Sequence, residues 1–267
     1  MNYFVLDRGD ELSQSLTEQF HRMAGAYGLN LDAESPDVVV SIGGDGTMLH
    51  AFHQFRDQVD SIAFVGIHTG HLGFYADWKV DEVELLIQLM ADGGELQDRV
   101  VKYPLLSILL TTEQGTERFL ALNEFTLKGA DATLVARLSI NDMPFEMFRG
   151  DGICISTPSG STAYNKSLNG ALIHPSLEAI QIAEIASINN RVYRTIGSSL
   201  ILPKHHHCDI VPQKEQKLLL TIDHMAIPYS SVKSLRSTVS ERKVAFARYR
   251  PFPFWTRVKD AFIGDLT

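Results

Sequence analysis

The chain has 267 residues, a formal net charge of −8 and 45% apolar residues. This length allows one large domain or two ordinary ones, and this composition is typical of a globular chain with a full core. The negative charge argues against a general affinity for nucleic-acid backbones. The longest apolar stretches, such as 103–110, are far shorter than the roughly 20 residues of a membrane-spanning helix. We therefore expect neither nucleic-acid nor membrane partners.

The N-terminus and the cysteines bear on the location of the protein. The first residues, MNYFVLDRGDE, lack a basic start followed by an apolar run, so we expect no secretory signal. The only two cysteines, Cys154 and Cys208, lie far apart in the sequence and make no disulfide framework. Both observations favour a cytoplasmic protein.

The first hundred residues alternate between strand-like and helix-like patterns. The predicted strands are 3–7 (YFVLD), 37–42 (DVVVSI) and 62–67 (IAFVGI). Apolar residues at helical spacing predict two helices, one carrying Leu12, Leu16, Phe20, Met23 and Tyr27 and one carrying Met48, Leu49, Phe52 and Phe55. A third helix is predicted at 82–90, ending at Asp92-Gly93-Gly94. This alternation predicts a Rossmann-like α/β domain over residues 1–100, with a parallel sheet.

The pattern changes near Val100, where short strand-like runs begin to follow one another. The predicted strands are 103–112, 118–127, 132–140 and 217–223, with turns at 113–115 and 141–142. One helix is predicted among them, at 176–187 (SLEAIQIAEIAS). These runs predict an antiparallel β-sandwich-like domain over residues 101–249. The tail, about 250–267, is expected to hold a helix at 254–263 that packs back onto the first domain.

The sharpest motif is a glycine loop, Gly43-Gly44-Asp45-Gly46-Thr47, directly after the strand DVVVSI. A buried strand delivers the chain to the carboxyl edge of a sheet, where open α/β folds bind ligands. The glycines put no Cβ between backbone and ligand, and the amides that open the next helix can face a phosphate. A carboxylate there repels phosphate unless it binds Mg²⁺ or accepts a proton. The alternative is an ordinary strand-to-helix turn with Asp45 as the N-cap.

Three later segments also offer ligand-binding groups: 122–124 (LNE), 148–152 (FRGDG) and 157–164 (TPSGSTAY). Asn123 suits an adenine edge, and Glu124 suits the two hydroxyls of a ribose. The segment 157–164 supplies hydroxyls, amides and an aromatic ring for a base and its sugar. Asp151 suits a carboxamide, and Arg149 suits a phosphate. The alternatives are a polar strand end, a surface turn, a turn aspartate and a solvated arginine.

The glycine loop resembles a motif shared by NAD kinases, diacylglycerol-type lipid kinases and, in a close variant, phosphofructokinases. All four motifs together, in their order and spacing, resemble the NAD kinase family over nearly the whole chain. The resemblance implies transfer of the γ-phosphate of ATP, or a phosphate of polyphosphate, to the adenosine 2′-hydroxyl of NAD. It implies a divalent ion, expected to be Mg²⁺, without a dedicated set of protein ligands. It also implies a homo-oligomer, either a dimer or a tetramer.

The resemblance further implies a role for individual residues. Asp45 is expected to be the general base, and Gly43, Gly44 and Thr47 are expected to form the phosphate loop. The substrate-binding residues are expected to be Gly46, Asn123, Glu124, Arg149, Asp151, Ser159, Thr162, Ala163, Tyr164, Asn165, Lys166, Ser167, Ala186 and His224. The family continues with glycines where this chain has Asn169, and an asparagine tolerates the left-handed conformation that a glycine favours.

The sequence contains two further notable segments and leaves two other functions open. The run 205–208 (HHHC) looks like a metal tract, but consecutive strand residues alternate faces, which favours a solvated turn. The run 68–74 (HTGHLGF) is expected at the same sheet edge as Asp45, with a buried connector as the alternative. A lipid kinase that shares only the glycine loop is disfavoured by the acidic chain. A non-catalytic NADP(H)-binding sensor is disfavoured by the intact Asp45.

Overall fold

The protein is described by a computed structural model over residues 1–70, 73–92 and 96–264. The chain divides into two compact units. The first unit consists of Met1–Tyr103 and Lys243–Thr267, and the second consists of Pro104–Arg242. The first unit is therefore made of two separate stretches of chain, whereas the second is continuous.

The first unit is built from short strands alternating with helices. Its first strands are β1 (Asn2–Asp7), β2 (Asn30–Leu31), β3 (Val38–Gly43), β4 (Ala63–His68) and β5 (Trp78–Lys79). Its first helices are α1 (Glu11–Ala26), α2 (Asp45–Gln54) and α3 (Val83–Ala91), with short 3-10 turns at Arg56–Gln58, Val80–Glu82 and Leu96–Arg99. These five strands pair in parallel. The predicted α/β fold with a parallel sheet is confirmed.

Strand β3 lies at the centre of this sheet, between β1 and β4. Every residue of its sequence VVVSIG is buried, as expected for a parallel strand covered on both faces. The complete burial of β3 explains why the uninterrupted apolar run in the sequence predicted this strand correctly. Helix α1 is capped by Asp10, whose side chain accepts the Ser13 N–H at 3.1 Å.

The buried stripe of α1 differs from the predicted one. Ser13, Leu16, Phe20 and Ala24 are buried, whereas Leu12 and Tyr27 are 48% and 41% exposed. Tyr27 follows the last helical residue as the C-cap, and Ser13 occupies the place in the stripe expected for Leu12. The next two predicted helices are confirmed as α2 and α3. The glycines expected to stop α3, Gly93 and Gly94, lie outside the described residues.

The second unit is built from antiparallel strands. Its strands are β6 (Val100–Thr111), β7 (Thr116–Ala121), β8 (Glu124–Gly129), β9 (Leu134–Ile140), β10 (Met143–Gly150), β11 (Gly152–Ser156), β12 (Ala179–Ile185), β13 (Leu200–Pro203), β14 (His207–Pro212), β15 (Leu218–Ile222), β16 (Met225–Tyr229) and β17 (Ser234–Ala247). Strand β6 begins in the first unit, and β17 ends there.

Two antiparallel sheets form the core of the second unit. One has the order β13-β12-β11-β8-β15-β16, and the other includes β10-β9-β14-β17. Phe125 and Ile155 of the first sheet share one apolar cluster with Leu138 and Ile210 of the second. Two inner faces that share a core define a sandwich. The predicted antiparallel β-sandwich-like fold is confirmed.

The prediction of a helix at 176–187 is wrong, because β12 occupies most of this segment. Ile180 and Ile182 belong to the sandwich core, while Ala183 and Ile185 belong to a separate cluster. This alternation has the period of two that marks a strand. Glu, Ala and Gln favour a helix, but pairing with β11 on one side and β13 on the other overrides that propensity. Ala186 therefore follows a strand and not a helix.

The remaining helices are α4 (Tyr164–Ser167) and α5 (Phe254–Phe262), and a 3-10 turn at Ser159–Thr162 precedes α4. The predicted tail helix is confirmed as α5, and its Phe254 is buried. Near α5 in sequence, the end of β17 pairs in parallel with β4 through Ala245 and Ala63. Within the described ranges, no helix combines the length and apolar character needed to cross a bilayer.

The replacement Gln181→Leu tests the strand assignment. Gln181 is fully buried in β12, where its amide accepts the Ala171 N–H at 2.7 Å and donates to the Ala171 carbonyl at 3.0 Å. Leucine leaves the Ala171 N–H without a partner and leaves the Ala171 carbonyl with only the Asn165 amide at 3.4 Å, so urea titration should show a free energy of unfolding lower by about 1–3 kcal/mol. The exposed Gln114→Leu control should change it by less than about 0.5 kcal/mol. Equal effects of the two replacements would contradict the assignment.

Candidate active site

The glycine loop joins β3 to α2 in the first unit. Strand β3 ends at Gly43, Gly44 is the N-cap residue of α2, and Asp45 is the first residue of the helix. A Cβ at position 43 would lie 2.2 Å from the Thr47 Oγ1, so this close approach requires glycine. The loop thus brings the N-terminal amides of α2 to the carboxyl edge of the parallel sheet, where anions bind favourably.

Asp45 does not cap its own helix. Its Oδ2 accepts the Phe74 N–H at 2.9 Å, and its Oδ1 accepts the N–H groups of Phe74 and Tyr75, both at 3.1 Å. Gly73 lies so close that a Cβ there would be 2.2 Å from the Asp45 Oδ1. The predicted nearness of the segment 68–74 to Asp45 is confirmed for Gly73 and Phe74. His71 and Leu72, in the same segment, lie outside the described residues.

In the second unit, a single carboxylate fixes the chain around Asn123 and Glu124. Asp223 accepts the N–H groups of Leu122, Asn123 and Glu124 at 2.9, 2.7 and 3.3 Å. Asp223 also donates its own N–H to the Glu124 carbonyl at 2.9 Å. It lies in the turn between β15 and β16 with φ 51°, beside the predicted site residue His224, which is exposed. Sequence reasoning selected His224 and missed Asp223, although an aspartate in a tight turn is a common acceptor of backbone N–H groups.

The Glu124 carboxyl group is held in an environment that favours its neutral form. Burial raises its pKa to about 8, the negative charge of Asp223 adds to the rise, and the Tyr164 backbone N–H opposes it. Its Oε2 is buried and makes no hydrogen bond within the described part of the chain. A protonated carboxyl group is a donor as well as an acceptor. Glu124 is therefore able to donate a hydrogen bond to a ligand at neutral pH.

The segment 157–167, called the polar loop below, is anchored to the residues beside Glu124. The Thr157 hydroxyl donates to the Leu122 carbonyl at 2.7 Å, and the Thr157 N–H donates to the Asn123 carbonyl at 2.8 Å. A Cβ on Gly160 would lie 2.0 Å from that same carbonyl oxygen. The Ser159 hydroxyl also donates to the Leu122 carbonyl at 3.2 Å. The loop and the Asn123 peptide therefore form one rigid unit.

Beyond Ser159, the polar loop follows the outer face of the six-stranded sheet. Tyr164 and Leu168 pack against a small cluster that includes Cys154 of β11 and Ile185 of β12. Ile185 pairs with the first residue of β11. The loop thus leaves the end of β11 and turns back over the outer face of this strand. We call this face, from Glu124 at the end of β11 to Asp151 before its start, the polar strip.

Lys128 is a second residue that sequence reasoning missed. Its Nζ donates to the Tyr164 hydroxyl at 3.2 Å and lies 4.8 Å from the centre of the Tyr164 ring. It lies on β8, two positions from Thr126 and four from Glu124, so all three residues face the same side of the sheet. Nothing in the local sequence pairs Lys128 with Tyr164, because 36 positions separate them.

The other implied residues of the polar loop differ in exposure. Thr162 and Ala163 are half-buried, and Lys166 and Ser167 are exposed. Asn165 is fully buried, with its amide nitrogen 3.4 Å from the Ser161 and the Ala171 carbonyl oxygens. Its side chain therefore supports the path of the loop. The expectation for Asn169 is confirmed, since its φ of 59° is left-handed.

Arg149, Asp151 and Ala186 lie together at the start of β11. The Asp151 N–H donates to the Ile185 carbonyl at 2.9 Å, which places Asp151 beside Ala186. Both residues are exposed, and Ala186 has a left-handed φ of 45°. The Arg149 guanidinium carbon lies 4.3 Å from the ring centre of Tyr193. Strand β11, which has 5 residues and is roughly 16 Å long at about 3.3 Å per residue, lies between this group and the start of the polar loop.

One residue of the histidine tract, His207, lies beside two carboxylates. Asp142, His207 and Asp209 are the only group of metal-ligating side chains close enough to share an ion in the described part of the chain. The Arg236 guanidinium already donates to Asp142 at 2.6 Å and to Asp209 at 2.7 Å. Hydrogen bonds from His207 and Arg236 hold the pKa of Asp142 below its usual value. A bound guanidinium opposes a second cation, so these carboxylates serve as a surface ion pair.

Comparisons with solved structures assign the fold. The chain is similar to an NAD kinase from Archaeoglobus fulgidus in complex with ATP, with a TM-score of 0.75 and 18% identity over 93% of this chain and 94% of that one. It is also similar to yeast NADH kinase complexed with NADH, with a TM-score of 0.83 and 17% identity over 100% of this chain and 89% of that one. The fold is therefore that of the NAD and NADH kinases.

Comparisons of sequence assign the family. Residues 14–95 match the model of the ATP-NAD kinase N-terminal domain, and residues 122–249 match that of the C-terminal domain. NAD kinase 1 of Halalkalibacterium halodurans is 54% identical over 99% of this chain and 100% of its own length. NAD kinase 1 of Bacillus subtilis is 52% identical over 99% of both chains. The chain belongs to the NAD kinase family.

The replacement Asp223→Ala tests the role of this carboxylate. Loss of the acceptor leaves three backbone N–H groups without a partner, so the free energy of unfolding should fall by about 1–3 kcal/mol. Hydrogen exchange of the amides at 122–124 should accelerate. Asp131→Ala, which removes an exposed carboxylate from the same unit, should leave both measurements unchanged. Unchanged exchange at 122–124 in the Asp223 variant would exclude this role.

The raised pKa of Glu124 predicts a pH dependence of stability. The folded protein holds a proton on Glu124 up to about pH 8, whereas the unfolded chain releases it near pH 4.5. The stabilisation is therefore complete below about pH 4.5 and is lost as pH rises through about 8, by at most about 1.4 kcal/mol per pH unit. Urea unfolding at pH 5 to 8 should show a decline that Glu124→Gln lacks. Parallel curves for the two proteins would refute the raised pKa.

Proposed function

We propose that this chain is an NAD kinase, which transfers the γ-phosphate of ATP to the adenosine 2′-hydroxyl of NAD and yields NADP. The observation that carries the proposal is the position of Asp45, a half-buried carboxylate inside a glycine loop and at the first residue of α2. Its carboxylate accepts backbone N–H groups instead of capping its own helix. The two relatives above, which are named NAD kinase and match the full chain, support the choice of substrates.

In the proposed reaction, Asp45 accepts the proton of the 2′-hydroxyl as this oxygen attacks the γ-phosphorus. A bond forms between the 2′-oxygen and the γ-phosphorus, the bond to the bridging oxygen breaks, and ADP leaves. Positioned general bases of this kind contribute typically 10²–10⁴-fold in rate. The proposed phosphate loop is Gly43, Gly44 and Thr47, and amides at the N-terminus of α2 would stabilise negative charge on the phosphoryl oxygens. The Thr47 N–H itself donates to the Gly44 carbonyl at 3.0 Å, so Thr47 shapes the loop.

The polar strip of the second unit is proposed to bind the dinucleotide. Asn123 and the neutral Glu124 offer an amide and a hydroxyl donor at one end, and Tyr164 offers a ring for stacking. Arg149 and Asp151 offer a guanidinium and a carboxylate at the other end. The remaining proposed contacts are Gly46, Ser159, Thr162, Ala163, Asn165, Lys166, Ser167, Ala186 and His224.

A divalent cation is proposed as the cofactor, with Mg²⁺ as the ion. Support comes from the general chemistry of Mg²⁺, which binds one or two carboxylates and the phosphates of a substrate and keeps several waters. The ion would supply charge neutralisation for the transferred phosphoryl group. No dedicated set of protein ligands is proposed.

We also propose that the protein is a cytoplasmic homo-oligomer, either a dimer or a tetramer. Support for an interface comes from apolar side chains that are exposed in the second unit, among them Met143 at 72% and Val192 at 78%. Support for the cytoplasm comes from Cys154 and Cys208, both of which are free thiols buried in the fold. Light scattering during gel filtration at several concentrations measures the oligomeric state directly.

Incubation with NAD, ATP and Mg²⁺ tests the function when NADP is scored with an NADP-specific dehydrogenase. Asp45→Asn should bind NAD normally but lower kcat by about 10²–10⁴-fold, because asparagine cannot accept the proton. Asp57→Asn, at an exposed carboxylate of the same unit, should retain full turnover. Normal turnover in Asp45→Asn would remove this residue from the mechanism.

The same assay separates the alternatives. Dinucleotide binding without NADP formation, with polyphosphate also tried as the donor, would indicate a non-catalytic NADP(H) sensor. Phosphorylation of a diacylglycerol-type lipid in place of NAD would indicate a lipid kinase. NADP formation with polyphosphate but not with ATP would change only the donor.

A further inference from the structure

We propose that Arg257, on the C-terminal helix α5, is a positioning residue for Asp45 and acts through the peptide group between Gly73 and Phe74. This inference rests on the proposed role of Asp45 as the general base. The Arg257 Nη1 donates to the Gly73 carbonyl at 2.9 Å. The N–H of the same peptide group, on Phe74, donates to the Asp45 Oδ2 at 2.9 Å. One peptide therefore connects the guanidinium to the carboxylate.

The geometry of a trans peptide makes this connection directional. Its C=O and N–H point in opposite directions, so a donor on the oxygen side and an acceptor on the nitrogen side align with the peptide dipole. A cation at the oxygen polarises the peptide and strengthens its N–H as a donor. Arg257 thus fixes the orientation of the peptide and strengthens its hydrogen bond to Asp45.

Arg257 is itself held in place on several sides. Only 8% of the residue is exposed. Its Nη1 also donates to the Ala76 carbonyl at 2.6 Å, and its Nη2 donates to Asp77 at 2.6 Å. Asp77 forms a second ion pair with Arg248. A buried guanidinium with this many partners has one orientation, and that rigidity is what a positioning residue requires.

Aromatic packing attaches the same segment to α5. The Phe74 ring lies 6.3 Å from the ring of Phe254 and stacks on Phe262 at 5.6 Å. Helix α5 therefore contacts the 73–77 segment in two ways. Arg257 donates to backbone carbonyl groups of the segment, and aromatic rings of α5 pack against the Phe74 side chain. Gly73 completes the arrangement, since any Cβ there would collide with the Asp45 carboxylate.

Steady-state kinetics of Arg257→Met tests the proposal. Methionine keeps the aliphatic bulk but leaves the Gly73 carbonyl without its donor, so kcat should fall about 10- to 100-fold. The KM for NAD should change less than about threefold, because the proposed dinucleotide contacts lie on other residues. Arg257→Lys, which keeps a cation and a single donor nitrogen, should recover part of the lost kcat.

A matched control and a double mutant separate positioning from general damage. Arg250→Met removes a guanidinium from the same tail, where its hydrogen bonds go to Glu82 and it lies over the Trp78 ring. It should leave kcat unchanged. In an Asp45→Asn background, Arg257→Met should cause less than about a twofold further loss, because its effect passes through Asp45.

Each outcome has a distinct meaning. Full turnover in Asp45→Asn would overturn the proposed base and this inference with it. A large loss in Asp45→Asn with kcat within twofold of wild type in Arg257→Met would overturn the inference alone. Losses that multiply in the double mutant would assign Arg257 an effect independent of Asp45. If Arg257→Met fails to fold, the same comparison is made with Arg257→Lys, whose kcat must then fall without a matching change in KM.

Discussion

Asp223 accepts three successive backbone N–H groups, and the polar strip of the second unit depends on this interaction. Through it, the turn between β15 and β16 fixes the peptides at Asn123 and Glu124. The polar loop is then built on the opposite side of those peptides, through Thr157 and the close approach of Gly160. The same negative charge contributes to the raised pKa of Glu124. The Asp223 carboxylate thereby fixes the backbone at this end of the polar strip and also favours the protonated form of Glu124.

Asp45 uses the same kind of contact for a different purpose. Both aspartates accept backbone N–H groups of a neighbouring segment, and such groups must find partners wherever water is excluded. The contacts of Asp223 are structural, because they hold the start of β8 in place. Asp45 lies within a glycine loop and keeps further acceptor capacity on its two oxygens. The chemical difference between Asp45 and Asp223 therefore comes from the other groups around each carboxylate.

The parts of the fold that could be predicted are those with local causes. The apolar run of β3, the glycines of its following loop and the helical spacing of α2 lie in one short stretch of sequence. Strand β12 was missed because its neighbours β11 and β13 decide its conformation against a helical composition. Asp223 and Arg257 were missed because their partners lie about 100 and 180 positions away. The aromatic and basic composition of the tail does not indicate which groups its arginines contact in the fold.

The division of the first unit between two stretches of chain has a consequence for protein synthesis. Residues 104–242 emerge from the ribosome as one continuous segment and can complete the second unit while the tail is still unmade. The first unit must wait for the end of β17 to pair with β4 and for α5 to reach the 73–77 segment. A nascent chain would accordingly complete the polar strip before it makes the arginine that donates to the Gly73 carbonyl. The segment beside Asp45 would therefore gain its final contacts later than the polar strip does.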